Sequence, residues 1–328
     1  MMLFRSGFEV LFSKSQKPVM PHTRESFCYL FINREDDPCF CQERKIRKRE
    51  LKDFVCLIYV CFFFMFDGMH IFFKALKETV KIAPVWWHMA YQDLISRYRR
   101  TTLGPWWITL GTGIGIGAMG IIWSTVFNAS IDDFFPHMSI GFVLWMFITS
   151  TLTEGPLIYV VSGQVLRTIR IPILTFVFTS LLKNIYTLGH NAIIAVIILI
   201  LFKAKISPTT LLFIPGLIIL LISSFLSSVV LGILGARFRD LSHIIVSMMT
   251  FLFMLTPVMW NINILTGKKI ILAYLNPFAH YLAIVRDPLL NKVPNALHYY
   301  VALGIVLLLL GAASSLYRRY AHRLVYWI

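Results

Sequence analysis

Residues 101–131 contain no Asp, Glu, Lys or Arg. A stretch that long and that apolar has few options. In hydrocarbon no water is available to satisfy backbone N–H and C=O groups, so a chain crosses as a helix or as part of a closed barrel. A helix needs about 20 residues to cross ~30 Å at ~1.5 Å per residue. Five more apolar segments of comparable length follow. The runs are best placed at 105–128, 134–160, 176–202, 209–233, 242–262 and 297–317. These lengths predict an all-α integral membrane protein with six transmembrane helices. Composition agrees: 57% of residues are hydrophobic and only 14% charged, where a soluble domain carries about 25% charge.

The net charge of +15 would fit a nucleic-acid binder if it formed one basic face. It does not. The cations stand at the ends of the apolar runs and in the N-terminal region, where anionic lipid and membrane topology account for them and no nucleic acid is needed. Lys74, Lys77, Lys81, Arg97, Arg99 and Arg100 precede the first run. Arg167 and Arg170 follow the second, Arg237 and Arg239 the fourth, and Arg318, Arg319 and Arg323 the last. The alternate loops hold fewer, although Lys203 and Lys205 run against the trend. The positive-inside rule therefore predicts a multi-pass protein with both termini cytoplasmic.

Residues 1–64 read differently. All five cysteines (Cys28, Cys39, Cys41, Cys56, Cys61) fall there, without a second pair at zinc-ligand spacing. A charge run at Glu43–Lys52 precedes the uncharged Phe54–Phe66, which is too short to span. Two readings fit: a basic membrane-surface arm, or sequence upstream of a start at Met65 or Met69. The composition shift points to the second. Three regions result: residues 1–64 as an uncertain extension, 65–104 as an interfacial amphipathic segment, and 105–328 as the transmembrane domain. Within the second region Phe72, Phe73, Leu76 and Val80 recur at helical spacing among Lys74, Lys77, Glu78 and Lys81, the pattern of a helix lying on a membrane surface. Pro84 predicts a restart. Arg97, Arg99 and Arg100 then stand ahead of a Gly104–Pro105 break, followed by Trp106 and Trp107. Arginines suit head groups and tryptophans the interface.

Inside the runs, ionisable groups are functional candidates by default. Glu154 either faces the interior near the cytoplasmic end of its helix or is an interfacial carboxylate paired with a nearby arginine. Lys183 and His190 are seven residues apart and share a helix face. They either line a polar route for a sugar or pyrophosphate head group or serve interhelical contacts, the latter being the better reading of Asn191, and Lys183 has the third option of snorkelling to the cytoplasmic surface. Gly115, Gly117 and Gly120 match G-x-G-x-x-G, but with no preceding strand a dinucleotide site is excluded. Gly111/Gly115 and Gly113/Gly117 are spaced for close helix packing. No Walker sequence and no nucleophile–base or metal-ligand pattern occurs, so neither ATPase nor enzyme activity is expected of this chain by itself. The connection 263–296, broken by Pro277, Pro288 and Pro294, predicts short re-entrant or surface helices around Ile270–Tyr274 and Phe278–Leu289.

The order of Tyr91, Asp93 and Leu94, then Arg97 to Thr101, then Leu103 to Trp107 resembles the ABC-2 type transporter permeases. The similarity is greatest to the branch that exports lipid-linked polysaccharides such as O-antigen (a lipopolysaccharide component), capsule and teichoic acid. Glu154–Gly155, His190–Asn191, Gly235 to Asp240, Thr256 to Trp260, Leu275 to Phe278 and Arg323 to Trp327 extend the resemblance over roughly residues 72–328. It implies a homodimer working with two ABC ATPase subunits in a bacterial inner membrane, with ATP and Mg bound only at the partner. It also implies that Arg167 and Arg170 lie in the coupling loop, that 263–296 forms an outer gate, and that the cargo is an undecaprenyl-linked glycan. Glu154, Lys183 and His190 become translocation-path candidates. Two alternatives stay open: a drug or small-lipid exporter of the same fold, and a membrane-embedded polyprenyl-sugar transferase using Glu154 or His190 as acid or base.

Overall fold

The computed structural model describes residues 68–99, 101–128, 130–203, 207–262 and 270–328, all within a compact unit, Tyr59–Ile328. The expectations for residues 1–64 lie outside the described residues. The helices are α1 (residues 68–81), α2 (Ala83–Tyr98), α3 (Trp106–Val126), α4 (Ile131–Glu154), α5 (Ile158–Val161) and α6 (Gly163–Thr168). They continue as α7 (Leu174–Leu201), α8 (Phe213–Arg237), α9 (Leu241–Leu255), α10 (Ile270–Leu275), α11 (Pro277–Leu289), α12 (Ala296–Tyr320) and α13 (Leu324–Trp327). No strand occurs among the described residues.

The expected all-α membrane architecture is present. Five helical segments are long and apolar enough to cross a bilayer: Trp106–Val126, Ile131–Thr168, Leu174–Leu201, Pro208–Arg237 and Ala296–Trp327. Six were expected, and the segment placed at 242–262 accounts for the difference. It folds as α9, a 15-residue helix whose length, at ~1.5 Å per residue, falls short of ~30 Å of hydrocarbon. Pro257 is the cause. Its ring disfavours helical backbone at the preceding residue, and Thr256 leaves α9 with ψ 137°.

The interfacial region divides where Pro84 predicts. α1 ends before Ile82, and α2 begins with Pro84 in its first turn. Trp86 Nε1 donates to the Thr79 carbonyl at 3.1 Å, tying the two helices together. Phe72 of α1 is buried edge-on against Tyr317 of α12, with 5.7 Å between ring centroids. α2 ends at Arg99, and Gly104 adopts φ 55° ahead of α3. A side chain at that backbone angle would be strained.

α4 is the most enclosed span, with 61% of its apolar window buried, against 17% for α12. α4 packs along α7, while α8 packs on α12 and α11 and against the tight turn Gly155–Leu157 after α4. That last approach depends on small residues. Ser224, Ser228 and Gly232 recur every four positions along α8 and are buried, and the Tyr159 ring lies directly over Gly232. Without a hydrophobic drive between helices in lipid, such close backbone contact is what holds spans together. On α3, Gly113 meets Ile194 of α7, whereas Gly111, Gly115 and Gly117 face open space.

Candidate translocation path

α7 carries Lys183, His190 and Asn191 and is flanked by aromatic rings along its length. Trp86 of α2 stacks on Phe178 at 5.1 Å, and Trp87 meets Tyr186 edge-on at 6.0 Å. Trp106, at the start of α3, meets His190 edge-on at 6.1 Å. The chain thus climbs α7 through α2 and then α3. Trp87, Trp106 and Trp107 each keep about half their surface exposed. Arg99 is exposed as well. Arg100 and the side chain of Arg97 lie outside the described residues.

Between the first two aromatic contacts stands an ion pair. Lys183 Nζ lies 2.8 Å from Glu154 Oε2, the side chains being 11% and 27% exposed. The partner of Glu154 is therefore a lysine contributed by α7 to the end of α4, where an arginine was expected. In low dielectric this pairing is strong but offsets a large desolvation cost, so the pair is a sensitive element of the bundle. Two turns further along α7, His190 Nδ1 donates to the Tyr186 carbonyl at 2.8 Å. A carbonyl only accepts, so Nδ1 carries a proton. Asn191 has an interhelical role: its Oδ1 accepts from the buried Thr112 hydroxyl of α3 at 2.8 Å. Thr112→Val is expected to destabilise the bundle by about 0.6–2 kcal/mol, the range for hydrogen bonds between spans. Thermal unfolding in detergent measures this, and an unchanged midpoint would count against the bond.

Arg167 and Arg170 stand apart from this line. Arg167 lies in the last turn of α6 and Arg170 just beyond it, both exposed. α6 is seated by buried Leu166 and by Gly163, which packs against Ile328. Val161, Val165 and Ile169 beside it remain exposed. Arg237 closes this end of the bundle, 5.8 Å over the Trp327 ring.

Sequence reading missed the polar clamp at the opposite end. Two separately noted motifs, Thr256 to Trp260 and Leu275 to Phe278, meet there. Asn276 Nδ2 donates to the Thr256 hydroxyl at 2.8 Å, while its Oδ1 caps α11 by accepting from the Phe278 amide at 3.0 Å. Arg286 of α11, 5% exposed, donates through Nη1 to the Pro257 carbonyl at 2.6 Å. Its neighbour Asp287 is 3.7 Å from Nε. Burial pushes the Asp287 carboxyl above the usual carboxylate range and lowers the Arg286 guanidinium, each charge opposing the shift of the other. The signal was available: Arg286 ends an apolar run from Phe278, within the segment expected to form a short re-entrant or surface helix. α11 nevertheless has nearly every face buried, against α8, α12 and α4.

Residues 84–290 match the family model for the ABC-2 type transporter. Among curated proteins, the O-antigen export system permease protein RfbA of Myxococcus xanthus is 22% identical over 251 residues, covering 74% of this chain and 95% of that protein. The matched residues run from α2 through the aromatic contacts of α7 and the Asn276–Thr256 clamp to the end of α11. With the family match covering more than half of the chain and five apolar spans behind it, this multi-pass membrane protein belongs to the ABC-2 type transporter family.

Proposed function

We propose that the chain is the permease of an ATP-driven exporter that moves a lipid-linked polysaccharide outward across a bacterial inner membrane. The observation that carries this reading is the match along 95% of an O-antigen export permease. Two copies assemble with two ABC ATPase subunits. The open glycine face of α3, Gly111, Gly115 and Gly117, supports contact with a second copy. α6 docks the ATPase: Arg167 and Arg170 supply charge, and exposed Val161, Val165 and Ile169 supply apolar contact. Both termini and α6 then lie on the cytoplasmic side, in accord with the arginines there. The aromatic faces along α7 accept sugar rings without demanding one sequence of sugars, and Lys183, Glu154 and His190 provide polar contacts beside them.

The test is co-purification with the ABC ATPase and measurement of ATP turnover and surface glycan. Arg167→Ala with Arg170→Ala is expected to reduce export at least tenfold while leaving the permease folded. Purification of the chain alone, with surface glycan intact in its absence, would overturn the assignment.

A further inference from the structure

At the end of the bundle away from α6, the ends of α3, α4, α7 and α11 surround a cleft of about 750 Å³. Its walls carry opposite charges. Asp132 and Asp133 come from the first turn of α4, Lys203 follows α7, and Lys292 follows α11. All four are exposed, and no ion pair joins the aspartates to the lysines among the described residues. Asp133 accepts from the Ser130 hydroxyl at 2.9 Å. His137, one turn below the aspartates, also lines the cleft, with its Nε2 buried and without a protein partner.

The position of these groups is set by the backbone. α3, α7 and α11 each end with a left-handed residue: Asn128 at φ 48°, Lys203 at φ 48° and Asn291 at φ 59°. Such a residue ends a helix sharply by redirecting its last amides. Asn is tolerant of this conformation, but for a lysine it is uncommon. Asn291 Oδ1 also accepts from the hydroxyls of Ser207 and Thr209, which holds the chain after α11 against the chain before α8.

Phe127, Phe134 and Phe202 also line the cleft. Beside it Val126, Ile131 and Val293 are exposed, at 59%, 54% and 71%. The site therefore has balanced charges at the ends of membrane-spanning helices, and on α3 exposed Ile122, Ile121 and Ile114 continue away from it.

We propose that this cleft binds the head group of a zwitterionic phospholipid of the phosphatidylethanolamine type. The ammonium meets Asp132 and Asp133, the phosphate meets Lys203 and Lys292, and the acyl chains lie along exposed Ile114, Ile121, Ile122 and Val126 of α3. An anionic head group satisfies the lysines but faces two carboxylates. A soluble zwitterion satisfies the charges but leaves those apolar residues uncovered. The site is separate from the polar line of α7 and does not depend on which cargo is exported.

The experiment places the purified full chain in nanodiscs of equal phosphatidylethanolamine and phosphatidylglycerol and identifies retained lipids by native mass spectrometry. Several-fold enrichment of phosphatidylethanolamine is expected. Asp132→Asn with Asp133→Asn should abolish the preference, and Lys203→Gln with Lys292→Gln should reduce retention of both lipids. A second measurement needs no charge variant: brominated phosphatidylethanolamine should quench Trp260, which lines the cleft, more than brominated phosphatidylglycerol does. The Trp260 signal is read as the difference between wild type and Trp260→Phe. Equal retention of the two lipids by the wild type, or enrichment unchanged in the aspartate variant, would overturn the proposal. So would equal quenching, or displacement of the lipid by a soluble oligosaccharide.

Discussion

Lys183→Met is expected to destabilise the folded bundle by about 3 kcal/mol, because it leaves the Glu154 carboxylate without its lysine at the end of α4. The estimate takes the low end for buried pairs, since the Glu154 side chain is 27% exposed and retains some access to water. Glu154→Gln should cost a similar amount by leaving the more deeply buried ammonium alone. The double variant removes the charge from both sides and should recover much of the loss, because isosteric neutral residues no longer pay desolvation. Thermal and denaturant unfolding of the four proteins in one detergent forms the cycle. Additive single effects would show that the 2.8 Å contact does not couple the two helices energetically. Transport measured on the same set separates a structural pair from a path-lining one: if the double variant is stable yet transport-dead, the charges serve the passage itself.

The second large effect concerns close backbone packing on α8. A Cβ added at Gly216 would run into the Ile284 carbonyl of α11, and one at Gly235 would run into the Pro156 backbone. Neither obstacle is a flexible side chain that can swing aside, so the helices themselves must separate. Gly216→Ala and Gly235→Ala are each expected to cost upwards of about 3 kcal/mol, at the severe end of overpacking, with much lower yield of folded protein. Gly216→Ala should also weaken the neighbouring contact in which the Tyr281 hydroxyl donates to Ser223 at 2.8 Å. Gly189 of α7 has nothing within 4 Å of an added Cβ, so Gly189→Ala should be neutral or stabilise by up to ~1 kcal/mol through helix propensity. Equal behaviour of Gly189→Ala and Gly216→Ala would refute the packing account.

Local information was sufficient for much of the architecture. Apolar runs of a length matching the bilayer place α3, α4, α7, α8 and α12 because lipid imposes that requirement segment by segment. Pro84 and Gly104 punctuate the interfacial region through their own backbone limits, which no distant contact needs to enforce. The helical period put Lys183 and His190 on one face for the same reason. Partnerships were another matter. That Glu154 belongs to Lys183 and His190 to Trp106 follows from how α3 and α4 pack on α7, and nothing in the spacing of those residues encodes it. The shortening of α9 at Thr256, the burial of Arg286 within a helix too short to span, and the meeting of Asn276 with Thr256 depend on each other. A proline breaks one helix, the freed Pro257 carbonyl needs a donor, and only the folded bundle brings α11 close enough to supply it. The sequence alone determined five spanning segments, since each must satisfy its own backbone in lipid, but not the shortening of α9. Tertiary structure decided which polar groups meet inside, since a buried polar group is satisfied by whichever neighbour the packing delivers.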